Sequence, residues 1–234
     1  MKKILYILTI CSFCASPLFA QNDKPNAAAE TDVNIKVYQV AVSIADYNTA
    51  IQAVHYLLAG NAEKYKTWAD TLAVLYLKNA SYQQAYILAN QLLTASGFTE
   101  LRMQVKAISA KNMQMTAEAI DAFKNLFQQT GRAGYGFEEL SLEYGMRRIN
   151  ETIATGNKML QILSAADSSK VNILKLDGKT SQQVSLRSAV HNILGLAYLD
   201  LKDKSNALLH LAEALKQDPE FEQAKNNRMA ADSI

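Results

Sequence analysis

Apolar side chains recur every three to four residues along most of this chain, and the pattern itself repeats with a longer period. In three segments, a short polar stretch is followed by an alanine that begins an apolar helix face. These segments are Asp46–Ala50, Ser81–Ala85 and Met115–Ala119. The alanines that end these segments are 35 and 34 residues apart. Helical spacing within a period near 34 predicts stacked pairs of amphipathic helices that cross at each alanine.

The same pattern predicts the helix that precedes each of these segments. We expect first helices over Val33–Ser43, Tyr65–Lys78 and Thr99–Asn112. Ser81 with Gln84 has the spacing of a capping box, which predicts that Ser81 caps the second helix of its pair.

Residues 188–221 form the clearest unit of this kind. Gly195 allows the second helix to approach closely, Tyr198 fills the far end of the first helix, and Ala207 lies at the crossing. The remaining spaced positions of the unit are Leu194, Leu211, Ala214 and Pro219.

A final helix is predicted after this unit. Asp218 would be its N-cap and Pro219 its first residue, as is typical of helix starts. In this helix, which extends to Asp232, we expect an inward face and a polar outward face that covers the last apolar surface. The inward residues are Phe221 and Ala224, and the outward residues are Asn226, Asn227 and Arg228.

These spacings resemble the tetratricopeptide repeat (TPR) family over about 31–133 and 188–221. The clearest repeats are 66–99, 100–133 and 188–221. The resemblance implies an all-α, right-handed solenoid of about four or five antiparallel helical hairpins with a C-terminal capping helix, occupying residues 32–234. The early copies lack a counterpart of Gly195, and Ala73 and Ala107 supply the small side chains there.

Residues 134–187 depart from this regular pattern. Phe137–Leu163 has helical spacing and predicts either a divergent hairpin or a long helix followed by a shorter one. Residues 168–183 instead combine alternating apolar positions with Asp177-Gly178, a strong turn signal. We interpret them as a surface loop with a small β-hairpin, after which Thr180 and Gln183 would cap the next helix.

The first twenty residues have the features of a secretory signal peptide. Two lysines precede an apolar run from Ile4 to Phe13, and Ala20 ends the segment with a small residue. We expect cleavage before Gln21, a disordered leader over 21–31 and a periplasmic or secreted protein. Both cysteines of the sequence, Cys11 and Cys14, lie in this segment.

Removal of the signal changes the charge of the chain. The sequence has 24 Lys and Arg and 22 Asp and Glu, and residues 1–20 hold two of the bases and none of the acids. The mature chain would therefore have no net charge, which argues against nucleic acid as a partner. We also expect no membrane insertion after cleavage, because the apolar run belongs to the removed segment.

Titratable residues form no pattern typical of catalysis or metal binding. His191 and His210 can approach each other within one hairpin, and Glu213 is a conceivable third ligand, but packed histidines explain them better. Glu138, Glu139 and Glu143 have the spacing of an exposed charge ladder with Arg147. We therefore expect no enzyme activity, catalytic residue, metal site or cofactor.

Glycines and tyrosines also have structural explanations. Gly131–Gly136 lacks the strand and the Gly-Lys-Ser/Thr of a phosphate loop, so we interpret it as a linker between hairpins. Most tyrosines are expected to fill space between helices, with Tyr65 and Tyr86 as the better candidates for exposure.

In the TPR family, partners bind in a groove lined by the first helices of the hairpins. The resemblance places nine residues there: Asp70, Val74, Leu77, Gln104, Ile108, Lys111, Asn192, Leu196 and Leu199. This set has too few Lys and Arg to clamp a C-terminal carboxylate, so it favours an extended or helical apolar segment.

The sequence thus predicts an exported scaffold or adaptor that binds a protein or peptide in its groove, with the oligomeric state left open. The alternative is a periplasmic carrier or sensor of a small molecule or glycan with a pocket near 134–187.

Overall fold

The computed structural model describes residues 32–164 and 168–233, and these form helices and one β-hairpin. The predicted signal peptide and leader lie outside the described residues. The elements are α1 Val33–Ser43, α2 Tyr47–Gly60, α3 Ala62–Tyr65, α4 Trp68–Lys78, α5 Tyr82–Ser96, α6 Glu100–Asn112, α7 Thr116–Thr130, α8 Ala133–Gly145, α9 Ile149–Ile162, β1 Lys170–Leu174, β2 Ser181–Ser185, α10 Leu186–Asp200, α11 Lys204–Gln217 and α12 Glu222–Asp232. None of the helices in the described part of the chain is long and apolar enough to span a membrane.

Five helical hairpins share one turn geometry. They are α1–α2, α4–α5, α6–α7, α8–α9 and α10–α11, and each turn contains one residue other than glycine with φ between 56° and 61°. We call these the left-handed turn residues: Ala45, Ala80, Gln114, Arg147 and Lys202. The intervals between them are 35, 34, 33 and 55 residues, and the last is longer because it includes the β-hairpin.

The hydrogen bonds of these turns are also the same. In the first turn, the N–H of Ala45 donates to the carbonyl of Val42, and the N–H of Asp46 donates to the carbonyl of Ala41. The other four turns repeat both bonds, which together make the Schellman motif that ends a helix. The motif satisfies carbonyls at the end of each first helix and turns the chain into the second.

Two of the second helices are capped by aspartate side chains. Asp46 accepts a bond from the N–H of Thr49, and Asp203 accepts one from the N–H of Asn206. Hydrogen bonds to Thr49 and to Asn206, respectively, hold the pKa of each carboxyl below its usual value. Ser81 is an N-cap residue, but its side chain makes no capping bond, so the predicted capping box is wrong.

The described residues form two compact units, 32–130 and 131–233. In the N-terminal unit, α4 packs against α2, α5 and α6, so successive hairpins stack. One apolar cluster joins the first two hairpins through Ile51, Val54, Leu72 and Leu75. Ala85, predicted to lie at a helix crossing, is fully buried in the next cluster, which includes Val105 of α6.

The C-terminal unit contains the two remaining hairpins, the β-hairpin and α12. Here α10 packs against α8, α9, α11 and α12, so it lies at the centre of the unit. Gly195 allows the predicted close approach: a Cβ on this residue would lie 2.6 Å from Cγ of Leu211. Gly156 of α9 allows the same close approach to Leu194, a role that was not predicted.

The β-hairpin predicted around Asp177-Gly178 is confirmed, with β1 and β2 paired antiparallel. Its apolar side chains, Val171, Ile173 and Val184, are buried. The backbone of Ser185 donates to the carboxylate of Asp218, so this hairpin is fastened to the end of α11.

Several helix boundaries differ from the predicted ones. Ser185, and not the pair Thr180 and Gln183, caps α10, because β2 extends to Ser185. Asp218 ends α11 and the last helix begins at Glu222 after a turn, so Asp218-Pro219 does not start it. Residues 133–136 belong to α8 and not to a linker.

The chain is thus an all-α helical repeat with one inserted β-hairpin, as predicted. The segment Phe137–Leu163 belongs to a divergent hairpin, the first of its two predicted forms. The capping helix α12 is present, with Phe221 and Ala224 buried and Asn226 and Arg228 exposed. Asn227 is buried, contrary to prediction, because it bonds to α10.

Candidate functional site

The first helices place the nine predicted groove residues at equivalent positions. Measured back from the left-handed turn residue of each hairpin, they lie ten, six and three residues away. Asp70, Gln104 and Asn192 share the first position, Val74, Ile108 and Leu196 the second, and Leu77, Lys111 and Leu199 the third. The spacing of the turns therefore agrees with the repeat register that predicts these nine residues. Partner binding by these residues stays a prediction.

In the N-terminal unit, α4 and α6 lie in contact and present six of these residues together. We call this surface the α4/α6 face: Asp70, Val74, Leu77, Gln104, Ile108 and Lys111. All six are half-buried. Val74 and Leu77 also pack against the apolar cluster around Ala85, so part of each side chain supports the fold.

An ion pair closes one end of the α4/α6 face. Nε and Nη2 of Arg102 bond to the two carboxylate oxygens of Asp70 at 2.6 and 2.9 Å, and Nη1 donates to the carbonyl of Gly97 at 3.2 Å. The bond to Asp70 raises the pKa of Arg102. Because this bidentate pair neutralises Asp70, the face offers no isolated negative charge at this end. Arg102 was not predicted as a site residue, because it lies 32 residues after its partner in the sequence.

In the C-terminal unit, Asn192 does not reach solvent. It is 3% exposed, and its side-chain oxygen accepts a 2.9 Å bond from the amide of Asn227. The capping helix α12 therefore covers the end of the predicted groove on α10, while Leu196 and Leu199 are half-buried. Asn192 can consequently contact a partner only if α12 moves.

A group of three polar side chains between α8 and α10 was also not predicted from the sequence: Tyr144, Arg147 and Asp200. Arg147 bonds to Asp200 at 2.7 Å, beside the hydroxyl of Tyr144. Burial, followed by the charge of Asp200, raises the pKa of Tyr144 well above its usual value. Tyr144 lies three residues before its left-handed turn residue, as Leu77, Lys111 and Leu199 do, so the repeat register could have identified it.

The two histidines of the last hairpin, His191 and His210, are in contact, as their positions in the sequence allow. Their Nδ1 atoms are 3.0 Å apart, and Tyr198 stacks on His210 with ring centres 5.4 Å apart. Burial, then the nearby His210 and Arg187, lowers the pKa of His191 to about 4. Burial also lowers the pKa of His210. The pair is therefore neutral at physiological pH.

Within residues 32–164 and 168–233, no three His, Cys, Asp or Glu side chains are grouped so that they could hold a metal ion. The contact between His191 and His210 is one between two packed rings, whose centres are 5.3 Å apart.

The predicted exposed ladder of carboxylates is wrong. Glu138, Glu139 and Glu143 are all buried, because α9 and α10 cover this side of α8. Thr155 of α9 lies 3.5 Å from Glu139, and none of the three carboxylates is without a partner.

Exposure of the tyrosines also differs from expectation. Tyr65 is buried, and its hydroxyl donates to Asp32 at 3.1 Å. Tyr86 is half-buried beneath the ammonium group of Lys106, and among the described tyrosines Tyr56 is the largely exposed one.

Residues 168–183, which belong to the region 134–187 considered as the alternative ligand site, are fastened to the last helices. Besides the bond to Asp218, the amide of Gln182 donates to the carbonyl of Glu220, and that of Gln223 donates to the carbonyl of Leu174, each at 2.6 Å. At the tip, the side chain of Asp177 accepts three bonds from residues 179 and 180, and the bond to Thr180 contributes most to lowering its pKa to about 2. These bonds give the segment a structural role.

No family model matches the chain, and no curated protein matches it. Solved structures do match most of it. The crystal structure of MamA protein aligns with 80% of this chain and 91% of its own, at 14% identity and a TM-score of 0.60. YrrB, a TPR protein with an unusual peptide-binding site, aligns with 86% of this chain and 91% of its own, at 11% identity and a TM-score of 0.61.

A third match is MamA, residue 41 to the end, from Desulfovibrio magneticus RS-1. It covers 81% of this chain and 95% of its own, at 9% identity and a TM-score of 0.58. Similarities at such low identity are similarities of fold.

Proposed function

Because the chain has the fold of tetratricopeptide repeat proteins, we propose that it is an exported scaffold that binds a protein or peptide through the first helices of its hairpins. The α4/α6 face is the proposed binding surface. This proposal rests on one observation: six side chains at equivalent repeat positions lie half-buried on two adjacent first helices.

The chemistry of the α4/α6 face favours a partner segment with apolar side chains. Val74, Leu77 and Ile108 provide apolar contact area, and the Asp70–Arg102 pair leaves that end without net charge. Burial of such a surface is favourable by about 25 cal/mol per Å² of apolar area. Gln104 offers an amide that can donate to and accept from a peptide backbone, which would orient the segment.

YrrB supports the proposal by example, since it is a TPR protein with a peptide-binding site. That site belongs to YrrB, and this chain is only 11% identical to it. The residues that define specificity here are therefore those of the α4/α6 face itself.

Export is the second part of the proposal. The lysines, apolar run and Ala20 of residues 1–20 support cleavage by a signal peptidase and release outside the cytoplasm. A mature chain without cysteine would need no disulfide chemistry in that compartment.

The test is capture of a partner from the cell envelope by the purified protein, compared with variants of the α4/α6 face. Ile108→Glu and Gln104→Arg place a charge or a long side chain on the face, and either should reduce capture at least tenfold. Thermal unfolding and helicity are measured for each variant, because Ile108 is half-buried.

The matched control is Ile87→Glu on α5, where the side chain is 47% exposed and belongs to a second helix. This variant should capture the partner as the parent protein does. Equal capture by all the variants would contradict the proposal, as would equal loss in the Ile87 and Ile108 variants.

A further inference from the structure

The outer face of α1 has an apolar stripe that nothing covers among the described residues. Val33, Val37, Val40 and Ile44 are exposed by 68, 39, 63 and 71%. Together with Thr49 of α2 they line an open cleft of about 330 Å³. Single exposed apolar residues are ordinary, but four in a row along one helix mark an interaction surface.

The repeat register shows what kind of contact this stripe is built for. Val33, Val37 and Val40 lie twelve, eight and five residues before the left-handed turn residue Ala45. In α4 the same positions are Trp68, Leu72 and Leu75, and all three pack into the apolar cluster shared with α2.

The last hairpin follows the same rule. Its equivalent residues are Val190, Leu194 and Ala197, all fully buried, and Leu194 packs on Gly156 of the preceding α9. The stripe on α1 is therefore the surface with which a first helix contacts the element before it, and no such hairpin precedes α1 in the described part of the chain.

The chain's own leader is poorly suited to cover this stripe. Residues 21–31, QNDKPNAAAET, contain no apolar side chain larger than alanine apart from Pro25. Alanine and polar side chains cannot fill a cleft formed by three valines and an isoleucine. With residues 1–20 removed, as we propose, an apolar occupant must come from another molecule.

A second copy of the chain meets the requirement. The stripe has spacings of four, three and four residues, the pattern of a two-helix seam, and consists of β-branched residues. In an antiparallel pair about a twofold axis, Val37 lies opposite Val40 and Val33 opposite Ile44, so the stripe is complementary to itself.

Charge is compatible with this arrangement. The cleft is lined by one cation and one anion, Lys36 near the start of α1 and Asp46 just beyond its end. Antiparallel pairing brings the Lys36 end of one helix beside the Asp46 end of the other. A mature chain with 22 basic and 22 acidic side chains would add no overall repulsion between copies.

Head-to-tail stacking is disfavoured by the other end of the chain. The outward face of α12 carries Lys225, Asn226 and Arg228, and Met229 is its one large apolar exposed side chain. Such a face is a poor match for the α1 stripe. A closed pair through α1 is then the symmetric solution.

We propose that the protein forms a head-to-head homodimer through the α1 stripe, in an antiparallel α1–α1 contact. An 11-residue helix offers a seam of only about 16 Å, so the interface is small and association is weak, on the order of 1–100 µM. The proposal concerns a surface separate from the α4/α6 face and is independent of the proposed function.

The test is sedimentation equilibrium of the protein as the cell processes it, from about 1 to 500 µM, with its N-terminus identified by intact mass. The parent protein should be monomeric at low and dimeric at high concentration. Val40→Glu should raise the dissociation constant at least tenfold, so that this variant is more monomeric than the parent protein at every concentration. The control Leu209→Glu changes a side chain of similar exposure on α11 and should dimerise like the parent protein.

Orientation is tested by disulfide crosslinking. Val37→Cys and Val40→Cys chains, mixed and oxidised above the dissociation constant, should crosslink to each other several-fold more than either does alone. Equal yields in all three samples would contradict the antiparallel arrangement.

Two results would overturn the dimer itself. The first is a monomeric parent protein at 500 µM, whether or not its mass shows that residues 1–20 are retained. The second is dimerisation that Val40→Glu leaves unchanged.

Discussion

Gly195 and Leu211 meet where the two helices of the last hairpin cross. A Cβ added to Gly195 would lie 2.6 Å from Cγ and 2.8 Å from Cδ2 of Leu211. Leu211 is itself fully buried, so it has no open space into which to move. The glycine thus sets the distance between α10 and α11, and α10 is the helix against which the rest of the C-terminal unit packs.

Replacement of this glycine should therefore destabilise the protein. Gly195→Ala should lower the free energy of unfolding by about 1–3 kcal/mol through overpacking, although alanine favours helix by about 1 kcal/mol. Chemical denaturation measures the change. The control is Gly145→Ala in α8, where nothing lies within 4 Å of the added Cβ, and it should be neutral or stabilising. Equal effects of the two substitutions would contradict the close approach.

The left-handed turn residues predict a gain in stability. Ala80 has φ of +56°, a conformation that costs a residue with a side chain roughly 1–2 kcal/mol, whereas glycine adopts it freely. Glycine loses about 0.4–1 kcal/mol through the entropy of the unfolded chain. Ala80→Gly should therefore raise the free energy of unfolding by up to about 1.5 kcal/mol, measured by denaturant titration.

Ala154→Gly is the matched control for this prediction, because Ala154 is exposed in the middle of α9. In the middle of a helix, the same substitution should lower the free energy of unfolding by about 1 kcal/mol. Effects of the same sign at both sites would mean that the turn geometry is wrong.

The main repeat was predictable from sequence because it depends on small residues at fixed spacing. Ala50, Ala85, Ala119 and Ala207 are all fully buried, and Gly195 has the role assigned to it. The turns were less visible, since the usual signal of a Schellman motif is glycine and all five turns lack it.

The candidate site was predictable only in part, because its geometry depends on contacts between distant residues. The spacing placed Asp70 on a first helix but could not reveal that Arg102 binds it. Similarly, helical spacing alone predicts that Glu139 and Glu143 face solvent, whereas in the structure α9 and α10 cover them. Burial of Asn192 depends on where α12 packs.

The histidine pair predicts a loss of stability in acid. Because burial lowers the pKa of His191 to about 4, the unfolded chain takes up a proton near pH 6.5, before the folded chain does. The stability that depends on an uncharged His191 is fully present above pH 6.5 and is lost as the pH falls toward 4. The expected loss is on the order of 1–3 kcal/mol, since one pKa unit corresponds to about 1.4 kcal/mol.

Denaturant titrations at pH 7 and pH 4.5 measure this loss. A His191→Phe variant, similar in shape but without a titratable ring, should lose less stability between these two values than the parent protein. The prediction fails if the two proteins respond to pH alike.

Export predicts a defined mature N-terminus. Ala20 is the small residue placed after the apolar run, so intact-mass measurement of the protein from the cell envelope should give a chain that begins at Gln21. Ala20→Leu should block this cleavage and leave the longer chain in the membrane fraction. A full-length parent protein would contradict both the export and the expected zero net charge.

The most direct test of the proposed function is site-specific photo-crosslinking in intact cells. A photoreactive amino acid at position 104 or 108 of the α4/α6 face should crosslink to one discrete partner protein. The same group at position 87 or 209, on exposed parts of second helices, should not. Crosslinks to the same partner from 87 and 209 but not from 104 and 108 would contradict binding through the first helices.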